Sequence, residues 1–154
     1  MMKKAIGILL CLVLFITLFS GCKSEENKVI DIIHEAAIVT INGTQVDSVE
    51  ASMGAFEGKQ GDYIEFRFSE LQTFNTIFII EKTTSVRQFN IYAEVDGKYK
   101  LVYTGKNIFA ENISIDPVTA SAFKLEIVNT QIGNDNFIIQ GISAYNIKET
   151  QNGN

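Results

Sequence analysis

The chain has 154 residues, with 13 basic against 18 acidic side chains, a net charge of −5, one histidine, two cysteines, one proline and no tryptophan. An acidic balance of that size makes nucleic acid and anionic lipid surfaces poor partners, because binding either depends on a basic footprint. The length accommodates one domain with a single core.

Lys3 and Lys4 precede an apolar run, AIGILLCLVLFITLF from Ala5 to Phe19, which ends in Ser20, Gly21 and Cys22. A charged start, a short apolar core and small residues before the cut form the pattern of a secretory signal peptide. The core is too short for a comfortable spanning helix of about 20 residues. The FSGC sequence resembles the lipobox of bacterial lipoproteins, with Phe19 where leucine is usual. That resemblance implies that residues 1–21 are removed and that Cys22 is lipidated. Residues 22–28 then form a short charged tether. Two acyl chains hold firmly, at about 0.8 kcal/mol per buried methylene, so the expected location is the extracytoplasmic face of a bacterial cell membrane. The other reading is an uncleaved N-terminal anchor. With Cys11 lost in the signal and Cys22 spent on lipid, the domain holds neither a disulfide nor a free thiol, which excludes thiol catalysis, zinc-thiolate sites and iron–sulfur clusters. Loss of Lys3 and Lys4 also deepens the net charge from −5 to −7.

Residues 29–147 read as strands. Asp31 to Ala37 begins as a helical turn, AAIVTI and the segment after Asn42-Gly43 form a pair, and Ser52 to Gly61 reads as a loop. In YIEFRF, Ile64, Phe66 and Phe68 point one way while Tyr63, Glu65 and Arg67 point the other, as a half-buried strand requires. The run TIFII from Thr76 to Ile80 is apolar on both faces and predicts a central strand. Phe89, Ile91, Ala93 and Val95 alternate again before Asp96-Gly97, a tight hairpin signal ahead of YKLVYTG. Ile113 and Ile115, then Phe123, Leu125 and Ile127, lie on either side of an expected Asp116-Pro117 turn. FIIQGISAY from Phe137 to Tyr145 closes the domain, and residues 148–154 are a polar tail. About eight or nine short strands without a long amphipathic helix predict an all-β sandwich or jelly roll.

From Asp62 onward the stretches DYIEFRFSELQTFNTIFIIEKT, SVRQFNIYAEVDGKYKLVYTG, DPVTASAFKLEIVNT and FIIQGISAYN resemble the discoidin domain. This is also called the coagulation factor 5/8 type C or galactose-binding-like jelly roll. The version at the C-terminus of bacterial α-fucosidases is similar to this chain. Members commonly carry tryptophans in the early strands and before YKLVYTG. Here Tyr99 stands where an aromatic is expected. Many also carry a glutamate near the last strand that helps hold a structural calcium. This chain has Gln140 there, so no cofactor is expected, a hard cation needing several oxygen ligands.

The resemblance implies a non-catalytic binding module whose ligand sits in loops at one end of the sandwich, most often a sugar. The connections Ser52 to Gly61, Lys82 to Gln88 and Thr130 to Asn136 are expected to gather there. They offer Phe56 for stacking on a sugar ring, Arg87 for paired hydroxyls, and Asn134 and Asn136 as amide donors and acceptors. The plainer reading has Arg87 paired with a carboxylate and Phe56 tucked under its own loop. Catalysis finds little support. A serine triad would have to use His34, the only histidine, without a nucleophile-elbow glycine pattern. A protein-docking or structural envelope lipoprotein of the same fold is the alternative to carbohydrate binding.

Overall fold

The computed structural model describes residues 29–110 and 112–147. The signal peptide, Cys22, the tether and the polar tail lie outside the described residues. A short 3-10 turn, Ile32–Glu35, leads into β1 (Ala36–Ile41) and β2 (Thr44–Gln45), and a one-turn helix α1 (Val49–Ser52) follows. Then come β3 (Phe56–Lys59), β4 (Tyr63–Glu81), β5 (Val86–Val95), β6 (Lys98–Gly105), β7 (Asn112–Thr130) and β8 (Asn136–Tyr145). All neighbouring strands pair antiparallel.

The chain forms an antiparallel β-sandwich because β4 and β7 are each long enough to serve both sheets. The first sheet runs β2-β1-β4-β7-β5-β6, using the early half of β4 and the late half of β7. In the second, β8 lies between β3 and the late half of β4, which pairs in turn with the early half of β7. Two breaks in the β4–β7 register let the ribbon bend, one between Arg67 and Gln72 and one between Phe74 and Thr76. The second break falls opposite Asp116 and Pro117. These residues do not form the expected turn but a bulge within continuous strand, where a proline's missing N–H costs no ladder bond.

TIFII lies in mid-sheet as its two-sided apolarity requires, flanked by β7 and β8. The alternating residues Ile64, Phe66, Ile91, Phe123, Leu125 and Ile127 are completely buried between the sheets. Phe123 packs against Phe66 and Phe74 at ring-centroid distances of 6.2 and 5.7 Å, and burying each such side chain contributes about 1.5 to 3 kcal/mol. The turns at Asn42-Gly43 and Asp96-Gly97 both place two successive residues at positive φ, the backbone that a two-residue hairpin demands.

The registers fix two ends. Along β7, Thr130 lies opposite Val86 and Glu126 opposite Tyr63, whereas Ala122 lies opposite both Arg67 and Glu94. Lys59 pairs with Asn136, and Glu81 with Ile139, at the Thr130 end. Ala36 pairs with Phe68 at the other end, where the Asp31 carboxylate accepts from the N–H of Ala144 at 3.0 Å. The first described residues therefore sit at the end opposite the connections 60–62, 82–85, 106–110 and 131–135.

Candidate functional site

The three connections expected to gather do meet. Gln60 donates its N–H to the Asp135 carbonyl at 3.2 Å, and its side-chain oxygen lies 3.4 Å from the N–H of Thr130. Gln131 donates its N–H to the Ser85 carbonyl at 2.8 Å, and the Ser85 hydroxyl lies 2.8 Å from the carbonyl of Asn136. The 82–85 connection is shaped by Glu81. Its Oε1 accepts from the N–H groups of Ser85 and Val86, at 2.6 and 3.1 Å, and from the Thr83 hydroxyl at 2.6 Å. A partly buried carboxylate is costly to leave without donors, so these bonds set the shape of the 82–85 connection.

Arg87 lies on the first turn of β5, exposed, and bridges two of the connections. Its guanidinium donates to the carbonyls of Thr84 and Val86, at 2.9 and 3.1 Å, and to Gln131 Oε1 at 2.9 Å. None of these acceptors is a carboxylate, so the charge is not neutralised by an ion pair among the described residues. A guanidinium has five donors. About two remain for a ligand. Asn134 closes the tip of the β7–β8 connection through its N–H to the Gln131 carbonyl at 2.9 Å, and its side chain is exposed, as is that of Asn136 at the start of β8.

Phe56 is a correction. The sequence places it on a loop, but residues Phe56–Lys59 form β3 against β8, and the ring is 5% exposed, edge-on to Phe137 at 5.1 Å and 78°. A side chain so placed is part of the core and offers no face to a sugar. The aromatic that the same end does expose is Phe109, 64% exposed in the β6–β7 connection, beside a shallow cleft lined by Phe89, Tyr103 and Asn107. Sequence reasoning missed it, because in KNIFAEN nothing distinguishes the buried Ile108 from its exposed neighbour. Ile132, at the tip of the β7–β8 connection, is fully exposed as well.

The groups with clearly displaced pKa lie elsewhere, on the outer face of the first sheet. Arg67 bonds Glu94 at 2.7 Å and Glu65 at 2.9 Å, which raises its pKa further. The Ser121 hydroxyl, and then Arg67, hold Glu94 below the usual carboxylate range. Burial, and then Glu126, push Tyr92 up, while burial, and then Glu65, raise Tyr99. Lys124 completes this face, its ammonium 4.5 Å from the ring centroids of both Tyr92 and Tyr99. His34 stands at the far end from the loops, 3.5 Å from Asp31, whose carboxylate also accepts from Ile33 and Ala144 and so ties the N-terminal turn to β8. No group of three or more His, Cys, Asp or Glu side chains placed to hold a metal occurs among the described residues.

No protein-family model matches the chain, and no curated protein sequence matches it. Solved structures do. The family 32 carbohydrate-binding module of Streptococcus pneumoniae EndoD superposes with a TM-score of 0.62 at 14% identity, over 77% of this chain and 100% of the module. A pectin-binding carbohydrate-binding module gives 0.56 at 22% identity, over 75% and 94%. The fold is the discoidin-like jelly-roll sandwich. A protein assigned as an α-L-fucosidase from Bacteroides thetaiotaomicron gives 0.50 at 26% identity over 61% of this chain. The match covers only 22% of that protein.

Proposed function

We propose that this protein is a non-catalytic carbohydrate-binding module, held on the extracytoplasmic face of a bacterial membrane through lipid on Cys22. The observation that carries the reading is Arg87, fixed by three bonds between two connections yet exposed and without a carboxylate partner, at the end that also exposes Phe109 and the amides of Asn134 and Asn136. An ordered guanidinium and an exposed aromatic ring at the same end of the sandwich suit a sugar. The ring covers the apolar C–H face while the donors reach its hydroxyls. The likeness to carbohydrate-binding modules over nearly their whole length supports the same reading. Asp31, near the start of the described residues, lies opposite the loop end, so a lipid on Cys22 would leave that end facing away from the membrane.

The test is a broad array of immobilised glycans probed with the purified protein and its Arg87→Ala variant. Binding to at least one glycan is expected, weakened several-fold or more in the variant, since bonds to a charged group are worth about 1.5 to 3 kcal/mol. Absence of binding to any glycan would move the reading to docking on an envelope protein. Ile132, an apolar side chain with no cover at the loop tip, is the feature that favours that second reading.

A further inference from the structure

The tip of the β7–β8 connection is a small hairpin. Gln131 and Asn134 face each other as an isolated antiparallel bridge, closed by the Asn134 N–H to the Gln131 carbonyl at 2.9 Å. Ile132 and Gly133 turn the chain between them, with Gly133 at φ +81°, in the left-handed region that glycine favours. Residues directly opposite in an antiparallel pair put their side chains on the same face, with Cβ atoms about 5 Å apart. The side chains of Gln131 and Asn134 therefore leave the hairpin next to each other, and both are exposed.

Gln131 also meets Arg87, whose Nη2 donates to Gln131 Oε1 at 2.9 Å. A guanidinium donates and never accepts, so the amide must turn its oxygen toward Arg87. Its nitrogen, Nε2, then faces away with two N–H donors. No bond from Nε2 occurs among the described residues. The backbone beneath is fixed on both sides. The Gln131 N–H donates to the Ser85 carbonyl at 2.8 Å, and the Gln131 carbonyl accepts from Asn134. The side chain thus stands on main chain tied to the 82–85 connection as well as to its own.

We propose that Gln131 is a further ligand-binding residue, whose Nε2 donates to hydroxyl oxygens of the same sugar that Arg87 contacts. The inference rests on the carbohydrate-binding reading above and deepens it, because Gln131 joins Arg87 and Asn134 into one row. The row offers donors at the guanidinium and at Nε2, and an amide with both donors and an acceptor at Asn134. It suits a sugar with neighbouring hydroxyls along one edge. Each hydroxyl oxygen accepts from a donor of the row and keeps its own O–H to give. By accepting from Nη2, Gln131 also holds the guanidinium in place, so less side-chain freedom is lost on binding.

Two substitutions separate contact from positioning. Gln131→Met keeps the length of the side chain and removes acceptor and donors together. Gln131→Glu keeps an acceptor for Arg87 and removes the Nε2 donors. The purified protein, both variants and Arg87→Ala are titrated calorimetrically with galactose, mannose, N-acetylglucosamine and oligogalacturonate, at a temperature where thermal melts show all four folded. At least one neutral sugar is expected to bind the wild type, and each Gln131 variant to bind it about threefold or more weakly, as loss of a hydrogen bond implies. Weak binding by Gln131→Met with wild-type binding by Gln131→Glu would reduce Gln131 to a positioning residue and overturn the contact. Wild-type binding by both, with Arg87→Ala weakened, would overturn the inference and leave the carbohydrate reading standing, as would binding confined to oligogalacturonate. No binding by the wild type to any of these sugars would overturn both.

Discussion

Replacing Phe56 by alanine, beside Phe109→Ala, separates the core aromatic from the exposed one. Phe56 is 5% exposed and its ring meets Phe137 edge-on at 5.1 Å. Truncation leaves a cavity between β3 and β8, at a cost of about 3 to 5 kcal/mol, of which about 0.5 to 1.5 kcal/mol is the aromatic pair. For a domain of this size each kcal/mol moves Tm by roughly 3 to 5 °C, so the melt is expected to fall by about 10 to 25 °C. Phe109 is 64% exposed, and its loss is expected to change stability by no more than about 0.5 kcal/mol. Thermal melts followed by circular dichroism measure the first effect. Calorimetric titration with a bound glycan, at a temperature where both variants are folded, measures the second. Phe56→Ala should melt early and bind like the wild type, and Phe109→Ala should do the reverse. A Phe56→Ala protein with an unchanged melt and lost binding would refute the reasoning, because it would put that ring on the surface.

Arg67→Ala is expected to cost about 1 to 2 kcal/mol in chemical denaturation. The exposed ion pairs contribute only about 0.2 to 1 kcal/mol, but Glu65 and Glu94, with side chains 15% and 13% exposed, lose their donor. Glu94 has a folded pKa below its ordinary 4.5, so its stabilisation is present above that value and lost as pH falls through the folded one. Urea midpoints from about pH 7 down to about pH 3 should therefore decline less steeply in Arg67→Ala than in the wild type. Cys22→Ala should abolish labelling by fatty acid and release or mislocalise the protein. A mature-sized, membrane-bound variant, with no label on the wild type, would contradict lipidation.

The strands were legible because alternation is a property of the backbone. A residue that must face the core at every second position leaves its mark in YIEFRF and in Phe89 to Val95 whatever lies around it. The bends of β4 and β7 left no such mark. Ser69-Glu70-Leu71 and Asp116-Pro117 carry turn-like residues, and only pairing across the ribbon shows that the chain continues through them as strand. Phe56 was misplaced for a similar reason. FEGK falls inside the stretch Ser52 to Gly61 that reads as a loop, yet a Cβ at Gly58 would come within 2.7 Å of the Phe137 ring and 2.8 Å of the Asp62 carboxylate, so close packing favours glycine in that strand. Arg87 was legible as a candidate from its place in SVRQF. That its partners are carbonyls and an amide, and not a carboxylate, depends on residues 44 positions apart.

The most direct test of the account is a nuclear magnetic resonance titration of the isotopically labelled protein with a glycan that it binds, read residue by residue. Shifts concentrated at Arg87, Phe109, Gln131, Asn134 and Asn136 are the predicted result. Shifts centred on Tyr63, Tyr92, Tyr99 and Lys124 would place the ligand on the outer face of the first sheet and contradict the loop-end site.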